Sequence, residues 1–325
     1  MGILQHVLLP LTNFRSPLLR TAVPSVAAAF ALQAFVAVPS VRARSERYYD
    51  ASGSATFLAV TLLSLCLPPL RAAAAAPDVG WTGSWSSTWN WRQLALSAAA
   101  AAWAVRLGSY LFARVRAADD GHDSRFDGIR GSPVKFGAAF AAQAVWVSLV
   151  LMPVIAVNAA VVPAAGVRVQ VTDVLGGALF LAGFACEIVA DRQKSAWVAR
   201  RRAKEHDEAF MTTGLWSRSQ YPNYFGECAL WTGIATVAAG ALCSPAAQAA
   251  LGFPGGGGGG GGGGVAVGKL LALGLSYVSP AFTSFLLLKV TGVPLSEPKY
   301  DARYGHREDY RQWKRNTPKF FPRLF

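Results

Sequence analysis

The feature of this sequence that most constrains its fold is a series of long apolar stretches separated by polar segments. A helix needs about 20 mostly apolar residues to cross the hydrocarbon core of a bilayer. Only 15% of the 325 residues are charged, whereas about 25% is typical of soluble proteins. The sequence therefore predicts an all-α, polytopic membrane protein with about seven transmembrane helices. The candidate spans are residues 23–39, 54–70, 94–113, 135–157, 174–190, 225–243 and 265–290.

The distribution of Lys and Arg predicts how these spans are oriented. Basic segments alternate with segments that are nearly free of these residues, and the basic ones are 42–47, 114–135, 192–220 and 299–325. Basic loops face the cytoplasmic side of a membrane. Seven spans with a cytosolic, basic C-terminal tail account for the alternation. We expect a multi-pass integral protein of the endoplasmic reticulum or another organelle membrane.

The net charge of +13 is also typical of proteins that bind nucleic acid. The basic clusters are separated by long uncharged runs, which nucleic-acid binding does not explain and a lipid bilayer does. We therefore expect the lipid bilayer as a partner, and no nucleic acid.

Two segments fall outside the predicted membrane core. Residues 1–45 contain no acidic residue, which is typical either of an organelle transit peptide or of a basic tail before a first span. We favour the tail, over residues 1–22, followed by one membrane domain over residues 23–325. Within that domain, the glycine run at 255–264 predicts a flexible linker. The last span contains Pro280, which predicts a kink or a split there.

Polar side chains that are energetically costly to bury in lipid lie at the predicted water–lipid boundary around Pro222. The proline predicts a helix that starts just after it, with Asn223 as N-cap and Glu227 in the first turn. Such a helix N-terminus attracts anions. Alternatively, Glu227 is only a carboxylate that is stabilised by the helix dipole. Further upstream, Glu187 and Asp191 are four residues apart at the end of the fifth span, so they share one helical face.

Charged groups inside spans usually point into a cavity or pair with each other. Snorkelling to the interface is the alternative for Arg106 and Asp191. In the tail, Arg303, Arg307 and Arg311 are spaced at one helical turn, as in a basic amphipathic helix lying on the membrane. The Asp-rich loop after the third span does not match the spacing of a calcium loop, so no metal site is predicted.

The order of these segments resembles the DUF1295 branch of the steroid 5-alpha-reductase C-terminal superfamily. The resemblance covers about residues 105–325 and rests on four groups of residues taken together. They are Arg114 with Gly121-His122-Asp123-Ser124-Arg125-Phe126; Glu187 through Lys194; Gly214-Leu215-Trp216 with Pro222 through Glu227 and Trp231; and Ser279-Pro280 with Gly292 through Glu297 and Arg303-Tyr304-Gly305 with Tyr310.

The resemblance implies an enzyme that binds NADPH in a polar cavity on the cytosolic side. Such an oxidoreductase would act on a CH–CH group, and its partner would be a lipophilic small-molecule substrate (a steroid, a sterol or a fatty enone) whose carbon–carbon double bond it reduces. The catalytic candidates are Tyr224, Glu227 and Tyr304, and Tyr221 is a further phenol that could donate a proton. The implied cofactor-binding residues are Arg114, Asp123, Arg125, Glu187, Asp191, Lys194, Asn223, Tyr224, Glu227, Arg303, Tyr304 and Tyr310.

Two other functions fit the same residues. Prenylcysteine and phospholipid methyltransferases carry a similar Pro-x-Tyr-x-Gly-Glu corner and bind S-adenosylmethionine there. A non-enzymatic membrane scaffold or transporter that kept the fold is the third hypothesis. The several phosphate-holding arginines favour NADPH over S-adenosylmethionine. The chain also departs from the family at Gln220-Tyr221, where members usually carry Arg-His before the proline.

Overall fold

The computed structural model describes residues 9–75, 88–116, 125–163, 167–256 and 262–323. These residues form helices and connecting turns, without a strand among them, which confirms the all-α prediction. A helical turn at Leu9–Leu11 precedes the first long helix. The helices are α1 Pro17–Ala43, α2 Tyr49–Ala75, α3 Trp91–Arg116, α4 Pro133–Val150, α5 Met152–Ala159, α6 Val171–Arg202, α7 Pro222–Leu242, α8 Pro245–Leu251, α9 Gly262–Phe285, α10 Val293–Tyr304 and α11 Glu308–Asn316.

Seven helical segments of the described chain are long and apolar enough to cross a membrane, as predicted. Each overlaps one of the apolar stretches read from the sequence. They are Pro17–Ala43, Tyr49–Ala75, Trp91–Ala113, Pro133–Val150, Val171–Arg202, Pro222–Leu242 and Gly262–Tyr304. The chain is thus a multi-pass integral membrane protein.

Three helix boundaries differ from the predicted ones. The fourth span ends at Val150 instead of 157, because the chain turns at Leu151 and a new helix begins with Pro153 in its first turn. The helix of the fifth predicted span, α6, extends to Arg202, well beyond residue 190, because its polar C-terminal part is also helical. The predicted glycine linker lies partly outside the described residues, while Gly262 already belongs to α9.

The seventh span is not split at Pro280, one of the two outcomes that the proline predicted. Helix α9 continues through this proline to Phe285, since membrane helices tolerate proline where neighbours satisfy the freed backbone groups. The interruption comes later, at a π-helical turn over Leu286–Val290. Gly292 has non-helical dihedral angles (φ −76°, ψ −86°), and helix α10 begins after it.

The basic residues of the tail do not lie on one continuous helix. Arg303 belongs to α10, whereas Arg307 is the N-cap residue of α11. Helix α10 ends at Tyr304 and Gly305 caps it, so the expected single amphipathic helix is divided here. The buried side of α11 carries Tyr310, which is 3% exposed.

The chain divides into two compact units. The first comprises Met1–Asp173 and Thr236–Ser279. Within it, α1 packs on α2, α4 and α5, and α2 also packs on α3. Polar side chains bridge these helices: Gln33 Nε2 donates to Thr56 Oγ1 at 2.8 Å, and Asn158 Nδ2 donates to Ser64 Oγ at 3.0 Å. Such interhelical hydrogen bonds replace the water that a bilayer core does not supply.

A buried ion pair also belongs to the first unit. Arg92 donates through Nη2 to Asp173 Oδ2 at 2.6 Å and through Nε to Asp173 Oδ1 at 2.8 Å. Both side chains are at most 6% exposed. This pair fixes the start of α3 against the start of α6.

The second unit comprises Val174–Ala235 and Pro280–Phe325. In it, the antiparallel helices α6 and α7 approach so closely that their backbones touch. A Cβ atom on Gly183 would lie 2.5 Å from the nitrogen of Leu230 and 2.7 Å from the carbonyl oxygen of Gly226. A Cβ atom on Gly233 would lie 2.5 Å from the oxygen of Gly176. Small residues allow this approach, which is a common basis of helix association in membranes.

We expect Gly183→Ala to destabilise the second unit, because the added methyl group meets backbone atoms that cannot move independently. Overpacking of this kind costs about 1–3 kcal/mol. Thermal unfolding in detergent should show a lower Tm for this variant. The matched control is Gly177→Ala on the same helix, where an added Cβ meets nothing within 4 Å. An equal Tm for the two variants would contradict the proposed close contact.

Candidate functional site

The second unit contains a cavity of about 120 Å³. It is walled by the C-terminal part of α6, the segment leading into α7, and the two tail helices. Most of the lining side chains are aromatic or polar. They are Lys194, Phe210, Met211, Trp216, Gln220, Tyr221, Asn223, Tyr224, Ser296, Glu297, Tyr300, Tyr310 and Trp313.

The segment before α7 is fixed against α6 by a tight turn at Gly214. This residue has φ +62°, a conformation that favours glycine. The turn lets the Leu215 N–H donate to Gln193 Oε1 at 2.9 Å. The indole of Trp216 donates to the carbonyl of Ala190 at 3.1 Å. These bonds place Trp216 in the cavity wall.

Lys194 is the cation of this cavity. Its ammonium group lies 4.9 Å from the ring centroid of Trp216 and 5.3 Å from those of Trp197 and Tyr300. It donates to the Tyr300 hydroxyl at 3.0 Å. Among the described residues Lys194 forms no ion pair with a carboxylate. The ammonium is therefore held by rings and a phenol, and its charge is not cancelled by an acidic partner there.

Asn223 lies two positions further into α7 than predicted. The helix begins at Pro222 itself, because proline is well suited to the first helical position and lacks an N–H that would go unpaired there. Asn223 is therefore not the N-cap. Its Nδ2 donates to Asp191 Oδ1 at 3.3 Å. Its Oδ1 is buried and has no hydrogen-bond partner among the described residues.

Two phenol rings are stacked at the N-terminal end of α7. The rings of Tyr221 and Tyr224 are parallel to within 3°, with centroids 5.4 Å apart. Burial raises the pKa of the Tyr221 phenol above its ordinary value, and the nearby negative charge of Glu297 adds to the effect. Tyr221 is therefore protonated, and a potential donor, throughout the neutral range.

The tail helices bring acidic groups to the site, and tail lysines neutralise them. Lys314 Nζ lies 2.7 Å from Asp301 Oδ1 and 2.9 Å from Glu297 Oε1. Lys319 Nζ lies 2.9 Å from Glu297 Oε2. The Tyr310 hydroxyl donates to Asp301 Oδ1 at 2.8 Å. The carboxylates are thus engaged within the tail.

Four of the predicted site residues line the cavity: Lys194, Asn223, Tyr224 and Tyr310. Glu187 and Asp191 are 2% and 5% exposed on the same helix as Lys194. Asp191 does not snorkel to the interface but is connected to the cavity through Asn223. Glu227 is half-buried one turn beyond Tyr224 and does not line the cavity.

The other predicted site residues lie elsewhere. Arg303 is exposed, with its guanidinium carbon 5.3 Å from the ring centroid of Tyr304. Tyr304 packs against Phe210, outside the cavity lining. Arg125 belongs to the first unit and donates to Asp50 at 2.7 Å. The Arg114 side chain and Asp123 lie outside the described residues.

Most of the aromatic wall was not predicted from the sequence. Trp216 entered only as part of a motif, and Phe210 and Tyr300 were not singled out. One signal was present in the sequence: Lys194 and Trp197 are three residues apart on one helix, a spacing that places a cation beside a ring. Nothing in the sequence placed Tyr300 beside them, because that contact depends on how α10 packs.

Alkaline pH should destabilise the second unit. Burial and the hydrogen bond to Asp301 raise the pKa of Tyr310 above its ordinary 10.0. Burial opposes the charge of Lys314, but its hydrogen bonds to Asp301 and Glu297 outweigh burial and raise its pKa above 10.5. Both contributions are fully present below the unfolded-state pKa values and are lost as pH rises beyond them. We expect a level Tm from pH 7 to 9.5 and a fall above about pH 10.

The Tyr310→Phe variant provides the control for this pH dependence. It lacks the phenol that titrates, so its Tm should fall less steeply above pH 10 than that of the unmodified chain. Identical slopes for the two proteins would contradict the assignment.

Comparison with known proteins identifies a family. The model of the family described as a protein of unknown function, DUF1295, matches residues 38–252 and 265–317. The match includes residues 38–104, which the motifs above did not cover, and its gap at 253–264 contains the glycine run. Comparison with curated proteins gives no match, and comparison with solved structures gives none either. The chain belongs to the DUF1295 family, which is steroid 5-alpha-reductase-like, as its motifs predicted.

Proposed function

We propose that the chain is an NADPH-dependent reductase of a carbon–carbon double bond in a lipophilic steroid, sterol or fatty enone. Membership in a reductase-like membrane family is the starting point. The observation that carries the proposal is Lys194, a cavity cation with aromatic neighbours and no carboxylate partner among the described residues. Such a group attracts the anionic part of a ligand.

The chemistry of the cavity fits a nicotinamide cofactor. Asn223 Oδ1 is a buried acceptor that lacks a donor among the described residues, and leaving such an atom unpaired costs about 1–3 kcal/mol. A carboxamide N–H is a donor of the required kind. Flat aromatic walls suit a planar ring.

The size of the cavity also bears on the ligand. Sites that enclose a whole drug-sized molecule have volumes of about 300–1,000 Å³, whereas this cavity measures about 120 Å³. It therefore suits one ring-sized end of a larger molecule. A dinucleotide would extend beyond this volume.

The bound cofactor would supply the hydride, and the chain's own residues would supply binding, orientation and a proton. Lys194 and Asn223 would hold the cofactor. The aromatic side chains would exclude water from the reacting atoms. The protonated phenol of Tyr221 and the phenol of Tyr224 stacked on it are the candidate proton donors.

The methyltransferase hypothesis fits this cavity less well. The reactive centre of S-adenosylmethionine is a sulfonium cation, and an aromatic cage is well suited to bind a cation. Here Lys194 already places a positive charge against three rings. Repulsion between like charges therefore argues against this cofactor, and the same charge argues for a phosphorylated one.

Removing the charge of Lys194 should weaken NADPH binding. We expect Lys194→Met to raise the Kd of NADPH by about 10- to 100-fold, the loss of one charge-assisted hydrogen bond. The measurement is fluorescence titration of the purified chain in detergent, with S-adenosylmethionine tested in parallel. Lys204→Met, which removes the same charge at an exposed position, is the control. Binding of S-adenosylmethionine without NADPH would overturn the proposal.

The phenols should contribute to the proton-transfer step. A substrate is first sought by comparing the lipids of cells with and without the chain for a two-hydrogen mass difference. With that substrate, we expect Tyr221→Phe or Tyr224→Phe to lower kcat by about 10²- to 10⁴-fold while NADPH still binds. Tyr304→Phe tests the residue predicted from the motif. A large loss in Tyr304→Phe alone would show that the packed phenol, and not the stacked pair, is the donor.

A further inference from the structure

Gln220 lies where the cavity meets the tail. It is 7% exposed and forms part of the cavity lining. Its carboxamide also contacts the backbone of residues 314–317, which lie far away in the sequence.

The carboxamide of Gln220 caps the C-terminal end of α11. Its Nε2 donates to the carbonyl of Lys314 at 3.0 Å and to that of Thr317 at 2.7 Å. The last carbonyls of a helix have no partner within the helix, and they form the negative end of its dipole. Gln220 therefore supplies donors to two carbonyls at this end of the helix.

Neighbouring bonds attach the rest of the tail to the same corner. The Gln220 N–H donates to the carbonyl of Pro318 at 2.9 Å. Ser219 Oγ donates to the carbonyl of Phe320 at 2.9 Å, and the Arg323 N–H donates to the carbonyl of Arg218 at 3.0 Å. The segment after α11 thus runs along residues 218–220 as a hydrogen-bonded strap.

Helix α11 carries two residues of the cavity wall, Tyr310 and Trp313. The indole of Trp313 donates to the carbonyl of Trp216 at 3.3 Å, so the helix is seated directly against the cavity. We infer that Gln220 is a positioning residue of the proposed cofactor site, because its cap on α11 holds this wall in place. The inference rests on the proposed function.

Gln220 is a neutral donor whose two N–H groups reach two carbonyls. An arginine offers five donors and a positive charge, which the negative helix end also favours. Gln220→Arg should therefore preserve the cap, whereas Gln220→Glu replaces the donors with acceptors and adds a negative charge.

The test combines limited trypsin digestion with NADPH titration of the full chain in detergent. We expect Gln220→Glu to speed cleavage after Lys314, Arg315 and Lys319 by about tenfold and to raise the Kd of NADPH about tenfold. Gln220→Arg should stay within about threefold of the unmodified chain in each measurement. Gln220→Ala, which removes the donors without adding charge, should fall between them.

The control is Gln312→Glu, the same change on the exposed side of α11, which should alter neither measurement. Unchanged digestion and affinity in Gln220→Glu and Gln220→Ala would overturn the inference. Failure of Gln220→Arg to retain affinity would also overturn it. If the unmodified chain does not bind NADPH, the proposed function fails, and the digestion rates still report whether Gln220 caps the helix.

Discussion

The contact on which the site depends is the close crossing of two membrane helices at glycines. Gly183 and Gly226 let α6 and α7 touch through their backbones. At this separation the Asn223 amide reaches the Asp191 carboxylate. The polar ends of both helices thereby lie side by side, with Lys194 one turn beyond Asp191. Wider side chains at the crossing would separate the groups that the proposed function requires.

A second constraint is the way in which charge is distributed over the site. The acidic groups of the tail are held by Lys314 and Lys319, so they do not reach Lys194 as ion-pair partners. Lys194, the cation that lines the described cavity, therefore faces a wall of rings and phenols. The tail does more than carry positive charge: it supplies Tyr310 and Trp313 to the wall, and the Gln220 cap and the strap hold it there.

Comparison of particular residues shows why sequence reasoning succeeded in some places and failed in others. Glu187 and Asp191 were placed correctly on one buried face, because a spacing of four residues fixes their relation on any helix. Arg303 was assigned to the cofactor pocket by its motif, yet it is exposed beside Tyr304. The direction of the Arg303 side chain depends on where α10 ends and on how the chain turns from α10 into α11. Local periodicity does not contain that information.

The sequence by itself determined the seven apolar helices and the family, because span length and motif order are properties of contiguous residues. It also determined that amide, phenol and carboxylate groups gather around Pro222. Only the tertiary structure decided which side chains share a cavity. Lys194 meets Trp216 and Tyr300, and Gln220 meets the end of α11, across separations of 22 to 106 residues along the chain. Such contacts arise from helix packing, in which a small change in a crossing or a turn redirects every side chain beyond it.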